Sequence, residues 1–116
     1  MEGRRLEKFN EVLKEELAML VCKEIDLPKG VLATIIGVKI DERLIRAEVF
    51  VSVIPAKETE FVMNVFNAKA NFLHQLLNDK IRVRRIPRLK FMPESNLPES
   101  QKVSNILDEI SNVDNN

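Results

Sequence analysis

Between Arg4 and Asp79 the apolar residues change their spacing twice, and that change restricts the chain to a fold mixing helices with sheet. From Arg4 to Lys23, Leu6, Phe9, Leu13, Leu17, Leu20 and Val21 recur at three- and four-residue steps, which puts them on one stripe of a helix. Asp26, Pro28 and Gly30 end that pattern, since proline cannot donate to a helix ladder and glycine tolerates turn geometry. The spacing then drops to two. Leu32 to Ile40 is apolar and rich in branched residues, and Arg43 to Ile54 sets Ile45, Ala47, Val49, Val51 and Val53 against Arg46, Glu48 and Ser52. Joined by Asp41, Glu42 and Arg43, the two runs read as a hairpin.

Pro55 closes the second strand, and helical spacing returns over residues 57–79. Val62, Val65, Phe66, Phe72, Leu73, Leu76 and Leu77 fall on one arc, with Asn64, Asn67, Asn71, His74, Gln75 and Asn78 on the other. Lys69 projects into the middle of the apolar arc of a straight helix, where an unpaired ammonium is costly. The lysine must therefore snorkel, or the helix must bend near Ala68, Lys69 and Ala70. Residues 81–92 read as a third strand carrying Val83, Ile86, Leu89 and Phe91, with Pro87 marking an edge or a bulge. Val103, Ile106, Leu107 and Ile110 suit a short terminal helix, and residues 112–116 have nothing to bury. The expected class is α+β, with helices packed against one face of a small three-stranded sheet.

A chain of 116 residues with 45% hydrophobic residues can bury one core, and no second domain or internal repeat is visible. The apolar runs are too short for a membrane span and the N-terminus is charged, so a cytoplasmic protein without membrane association is expected. Cys22 is the only cysteine and His74 the only histidine, which excludes an intrachain disulfide and a Cys/His zinc site. Gly3, Gly30 and Gly37 have no phosphate-loop spacing. Neighbouring carboxylates such as Glu15 and Glu16, or Asp41 and Glu42, diverge and lack a partner base. No catalytic residue, metal, cofactor or small-molecule substrate is expected.

The formal net charge is zero, but its distribution is uneven. Residues 80–90 carry Lys80, Arg82, Arg84, Arg85, Arg88 and Lys90 without an acid, whereas residues 91–116 set Glu94, Glu99, Asp108, Glu109 and Asp114 against Lys102 alone. Arginine forks match phosphate oxygens, so the strip suits nucleic-acid backbone. An edge strand charged to block aggregation is the other reading of the same residues. With six Phe, no Tyr and no Trp, and with Phe9, Phe66, Phe72 and Phe91 at expected core positions, contact with the backbone of folded RNA is favoured over base stacking. Phe50 and Phe61 find no place in this pattern. The asparagine face could bond sugars or phosphates, although a solvated helix face is the simpler expectation. His74 has no catalytic partner at helical spacing, and Cys22 faces away from the apolar stripe.

The run Arg82-Val83-Arg84-Arg85-Ile86-Pro87-Arg88-Leu89-Lys90-Phe91 resembles the basic strand of the ribosome-binding factor A family, whose Pro-x-Leu-x-Phe core stands here as Pro87, Leu89 and Phe91. The order of Arg4-Arg5-Leu6, Val49-Phe50-Val51-Ser52-Val53, Ser95-Asn96-Leu97 and Val103-Ser104-Asn105-Ile106-Leu107 is also similar, over residues 4–107. The resemblance implies a type II KH-like domain over residues 1–107; composition makes residues 108–116 an acidic, disordered tail, where the family's tail is often basic or mixed. It implies a kinked helix-helix junction, built in the family on an Ala-x-Gly motif that stands here as Ala68, Lys69 and Ala70. Alanine at position 70 is the better helix former by roughly 1 kcal/mol, which weakens the motif's own argument for a kink.

The family's role implies a monomeric factor that binds ribosomal RNA of the immature small ribosomal subunit, assists maturation of its RNA ends and is linked to growth in the cold. Carried onto this chain, the RNA contacts are Lys80, Arg82, Arg84, Arg85, Arg88 and Lys90, with Lys69, Arg4 and Arg5 as weaker members. A tail without Lys or Arg gives no support for RNA contacts by residues 108–116. A protein-interaction module without a direct RNA role is the second reading.

Overall fold

The computed structural model describes residues 2–81 and 85–97, with side chains from Arg5 onward. Helix α1 (Glu2–Glu24) leads to strands β1 (Leu32–Ile40) and β2 (Arg46–Ile54), then helices α2 (Thr59–Ala68) and α3 (Ala70–Lys80), and finally strand β3 (Arg88–Pro93). The three strands form one sheet in the order β1-β2-β3, β1 antiparallel and β3 parallel to the central β2. The expected α+β order is borne out. Among the described residues no helix is long and apolar enough to cross a membrane.

The helical spacing of α1 delivers Leu13, Leu17, Leu20 and Val21 into a core that also takes Ala47, Val49, Val51 and Val53 of β2. Val62 and Phe66 of α2, Leu73 and Leu77 of α3, and Leu89 and Phe91 of β3 complete the same cluster, so the helices cover one face of the sheet. Phe66 and Phe91 meet edge to face at its centre, with centroids 5.2 Å apart and ring planes at 86°.

The hairpin turn runs further than Asp41, Glu42 and Arg43, because β2 begins only at Arg46. Asp41 Oδ1 accepts from the backbone N–H of Ile45 (2.8 Å) and of Arg46 (3.2 Å), and Leu44 takes a left-handed φ of 58°. Ile45 is thereby held in the turn and is exposed, not on the buried side of β2. A register shift between Ile35 and Gly37 leaves Ile36 as the extra residue of a bulge in β1.

The second helical run is two helices. Lys69 breaks it with φ −98° and ψ 5°, and its N–H is shared between the carbonyls of Val65 (3.2 Å) and Phe66 (3.1 Å). Gly30 and Leu44 are the only positive-φ residues described, so the junction needs no glycine and Ala70 suffices. Lys69 also escapes the core by reach, its Nζ lying 3.5 Å from the Glu24 carbonyl at the end of α1 and 5.8 Å from the Phe72 ring centroid. Phe72, expected in the core, is 43% exposed because it sits at the rim of the arc whose centre is Val62, Phe66, Leu73 and Leu77.

The third strand is shorter than residues 81–92: Arg85, Ile86 and Pro87 precede it outside the ladder, and pairing starts at Arg88. Pro87, without an N–H, therefore stands just outside the ladder instead of interrupting it. Phe50 occupies the sheet face away from the helices and is buried beside Gly37, next to which Leu97 also packs after a short 3-10 turn (Glu94–Asn96). The terminal helix expected from Val103 and the tail 108–116 lie outside the described residues.

Candidate nucleic-acid interface

The basic segment is attached to the domain through its backbone and its apolar side chains. Ile86, Pro87, Leu89 and Phe91 are buried, while Arg85, Arg88 and Lys90 between them are exposed. Three hydrogen-bonded anchors set its path. His74 Nε2 donates to the Ile86 carbonyl at 2.7 Å, which leaves Nδ1 as the acceptor 3.5 Å from the Asn78 amide. The Arg88 N–H donates to the Ile45 carbonyl at 2.9 Å. Asn67 both donates to the Phe91 carbonyl (3.0 Å) and accepts from the Phe91 N–H (2.9 Å).

Both polar groups of one strand residue point to the same side, so Asn67 imitates a further strand along the outer edge of β3. Asn67 and His74 thus hold the segment in place, a role the asparagine face did not suggest from sequence. Removing the side chain in Asn67→Ala leaves two partly buried backbone groups without this partner and is expected to cost about 1–3 kcal/mol. Urea unfolding of the variant checks this; a loss under roughly 0.5 kcal/mol would rule out an edge-sealing role, as expected only for surface substitutions.

The anchors use no charged side chain, and among the described residues Arg85, Arg88 and Lys90 form no ion pair. Among the described residues the one ion pair joins Lys80 to Glu16 at 4.0 Å, and its half-exposed geometry makes it weak. Arg88 and Lys90 project on the open face of the sheet, since Leu89 and Phe91 point to the helices. Arg85 lies exposed just before them.

Lys69, Lys80 and Arg5 lie in the helical layer and do not join this face. Lys69 meets the end of α1 and Lys80 meets Glu16, so α3 runs antiparallel to α1 within the helical layer. Arg5 is exposed near the other end of α1, about 28 Å from the Lys69 contact at 1.5 Å per residue. Arg82, Arg84 and the Arg4 side chain lie outside the described residues.

The register adds two cations that the linear strip conceals. Arg46 of β2 pairs with Arg88, and Glu48, the pairing partner of Lys90, also pairs with Lys39 of β1. Lys39, Arg46, Arg88 and Lys90 are all exposed, with Glu48 the single acid among them. The signal in the sequence was the alternation that set Arg46 and Glu48 opposite Ala47 and Val49, but strand order was needed to bring them beside β3. No group of three or more His, Cys, Asp or Glu able to hold a metal ion occurs among the described residues.

The fold and the surface define the class: a small α+β domain with one cationic sheet face and a basic segment mounted through its backbone. Residues 5–107 match the family model of ribosome-binding factor A, and the chain belongs to that family. Ribosome-binding factor A of Nitrosococcus oceani is 30% identical over 108 residues, spanning 92% of this chain and 85% of that protein. The Pseudomonas paraeruginosa protein of the same name is 28% identical over 107 residues, 90% of this chain and 84% of its own. The crystal structure of the Thermus thermophilus factor superposes with a TM-score of 0.70 at 24% identity, covering 80% of this chain and 99% of that one. Coordinates of the Thermus thermophilus factor fitted into a cryo-electron-microscopy map of its 30S complex give a TM-score of 0.64 at 25% identity, over 76% and 93% of the two chains.

Proposed function

We propose that this chain is a ribosome biogenesis factor that binds ribosomal RNA of the small subunit and assists its maturation without making or breaking bonds. The observation that carries the reading is the mounting of the basic segment: His74, Asn67 and Ile45 hold its backbone while Arg85, Arg88 and Lys90 stay exposed and without ion pairs among the described residues. Arrangements of this kind give phosphate contacts whose energy can bias a folding RNA toward one conformation. Membership of the family, and a relative fitted into a 30S complex, support the small subunit as the partner.

Under the same proposal Lys80, Arg82 and Arg84 extend the contact, Lys69, Arg4 and Arg5 contribute less, and the protein acts as a cytoplasmic monomer. Assistance in processing the RNA ends, and a demand for it that grows in the cold, belong to this reading. The family match ending at residue 107 supports treating residues 108–116 as a separate tail.

Binding of the purified protein to small ribosomal subunits across a salt series tests the proposal. Selective binding that weakens steeply with salt is expected. Absent or salt-insensitive binding would move the reading to a protein-interaction module.

A further inference from the structure

The Arg46↔Arg88 pairing sets two guanidinium side chains directly opposite each other on adjacent parallel strands, about 4.8 Å apart at the backbone. Like charges in such positions repel. Both arginines are exposed, and neither forms an ion pair among the described residues. Asp41 spends Oδ1 on the N–H groups of Ile45 and Arg46, holding the start of β2 in place. One register step along, the contrast is plain: Lys90 has Glu48 as its pairing partner, and Glu48 has Lys39 on its other side. That row alternates in sign, whereas Arg46 and Arg88 set two cations side by side. Further along the same sheet face Leu97 and Phe50 both pack beside Gly37, whereas the charged end is open to solvent.

We propose that Arg46 and Arg88 form a two-arginine clasp for a single phosphodiester group of an RNA strand lying across the open face of the sheet, with Lys39 and Lys90 on its flank. The inference rests on the RNA-binding reading and deepens it by adding a residue from β2 and a path for the RNA. A phosphate placed between the two forks accepts from both and cancels their repulsion, which a diffuse basic patch would not require. The Arg88 backbone is fixed by the Ile45 carbonyl and the Arg46 backbone by Asp41, so both side chains start from ordered positions.

The test is a double-mutant cycle with Arg46→Gln and Arg88→Gln, read as affinity for purified small ribosomal subunits at several salt concentrations. Each single variant is expected to bind roughly 8-fold more weakly near 0.1 M salt, the worth of one phosphate contact, and to lower the salt slope by about one. The double variant should lose much less than the product of the two, because one phosphate serves both. Arg46→Lys should recover only part of the affinity, since it restores charge without the fork. Thermal unfolding should show Arg46→Gln at least as stable as wild type, because the substitution removes a repulsion. Wild-type affinity in Arg46→Gln, or full multiplicativity of the two losses, would overturn the clasp while leaving RNA binding intact. Failure of the wild type to bind subunits at all would overturn both.

Discussion

A variant carrying Arg85→Glu, Arg88→Glu and Lys90→Glu is expected to bind small ribosomal subunits at least about 500-fold more weakly than wild type near 0.1 M salt. The figure follows from counterion release. Each phosphate contact contributes about 0.9 to the slope of log affinity against log salt, so three contacts contribute about 2.7 decades between 1 M and 0.1 M. Reversal adds repulsion to the loss, which makes the figure a lower bound. All three side chains are exposed and none is in an ion pair among the described residues, so the variant should fold with a near wild-type melting temperature. A salt series that shows the slope unchanged, with the variant folded, would mean that RNA is held elsewhere. The anchors explain why the effect should be concentrated here: the strip is presented by buried Ile86, Pro87, Leu89 and Phe91 instead of floating as a tail.

Phe91→Ala should have the largest effect on stability, about 3–5 kcal/mol. Phe91 is 2% exposed, meets Phe66 edge to face, and lies on the strand that completes the sheet. Its truncation removes the apolar burial, the ring-ring term of about 0.5–1.5 kcal/mol, and support for the Asn67 anchor on the same residue. Domains of this size are stable by about 5–15 kcal/mol, so the melting temperature should fall by on the order of 20 °C. Combining it with Phe66→Ala should cost less than the sum of the single losses, because the two rings line one space. A loss below about 1 kcal/mol would be inconsistent with a ring at the centre of the core.

Much of the fold was legible because local spacing is a local property. The steps of three and four in Leu13, Leu17, Leu20 and Val21, and of two in Ala47, Val49, Val51 and Val53, place those residues in the core as expected. Lys69, the one residue at odds with its helix, marked the break at the place where the structure has it. Where the pattern misled, the cause was nonlocal. Phe72 belongs to the arc by count but sits at its rim. Phe50, unplaced by alternation, is buried beside Gly37, where Leu97 also packs, and these three residues are far apart in the chain. The third strand starts at Arg88 because only from there does a partner on β2 exist.

The sequence by itself determined the element order, the class of the fold and the existence of a basic segment between residues 80 and 90, since each is written in residue types and their intervals. Tertiary structure alone decided how that segment is held and what stands beside it. Asn67 and His74 are polar helix residues like their neighbours until packing sets them against the β3 edge, 24 and 12 residues away from the groups they bond. Arg46 joins Arg88 only because the chain crosses over two helices and returns parallel to β2. A binding surface of this kind is a sum of side chains brought into register by burial on the opposite face, and spacing along one strand carries no information about which strand lies next to it.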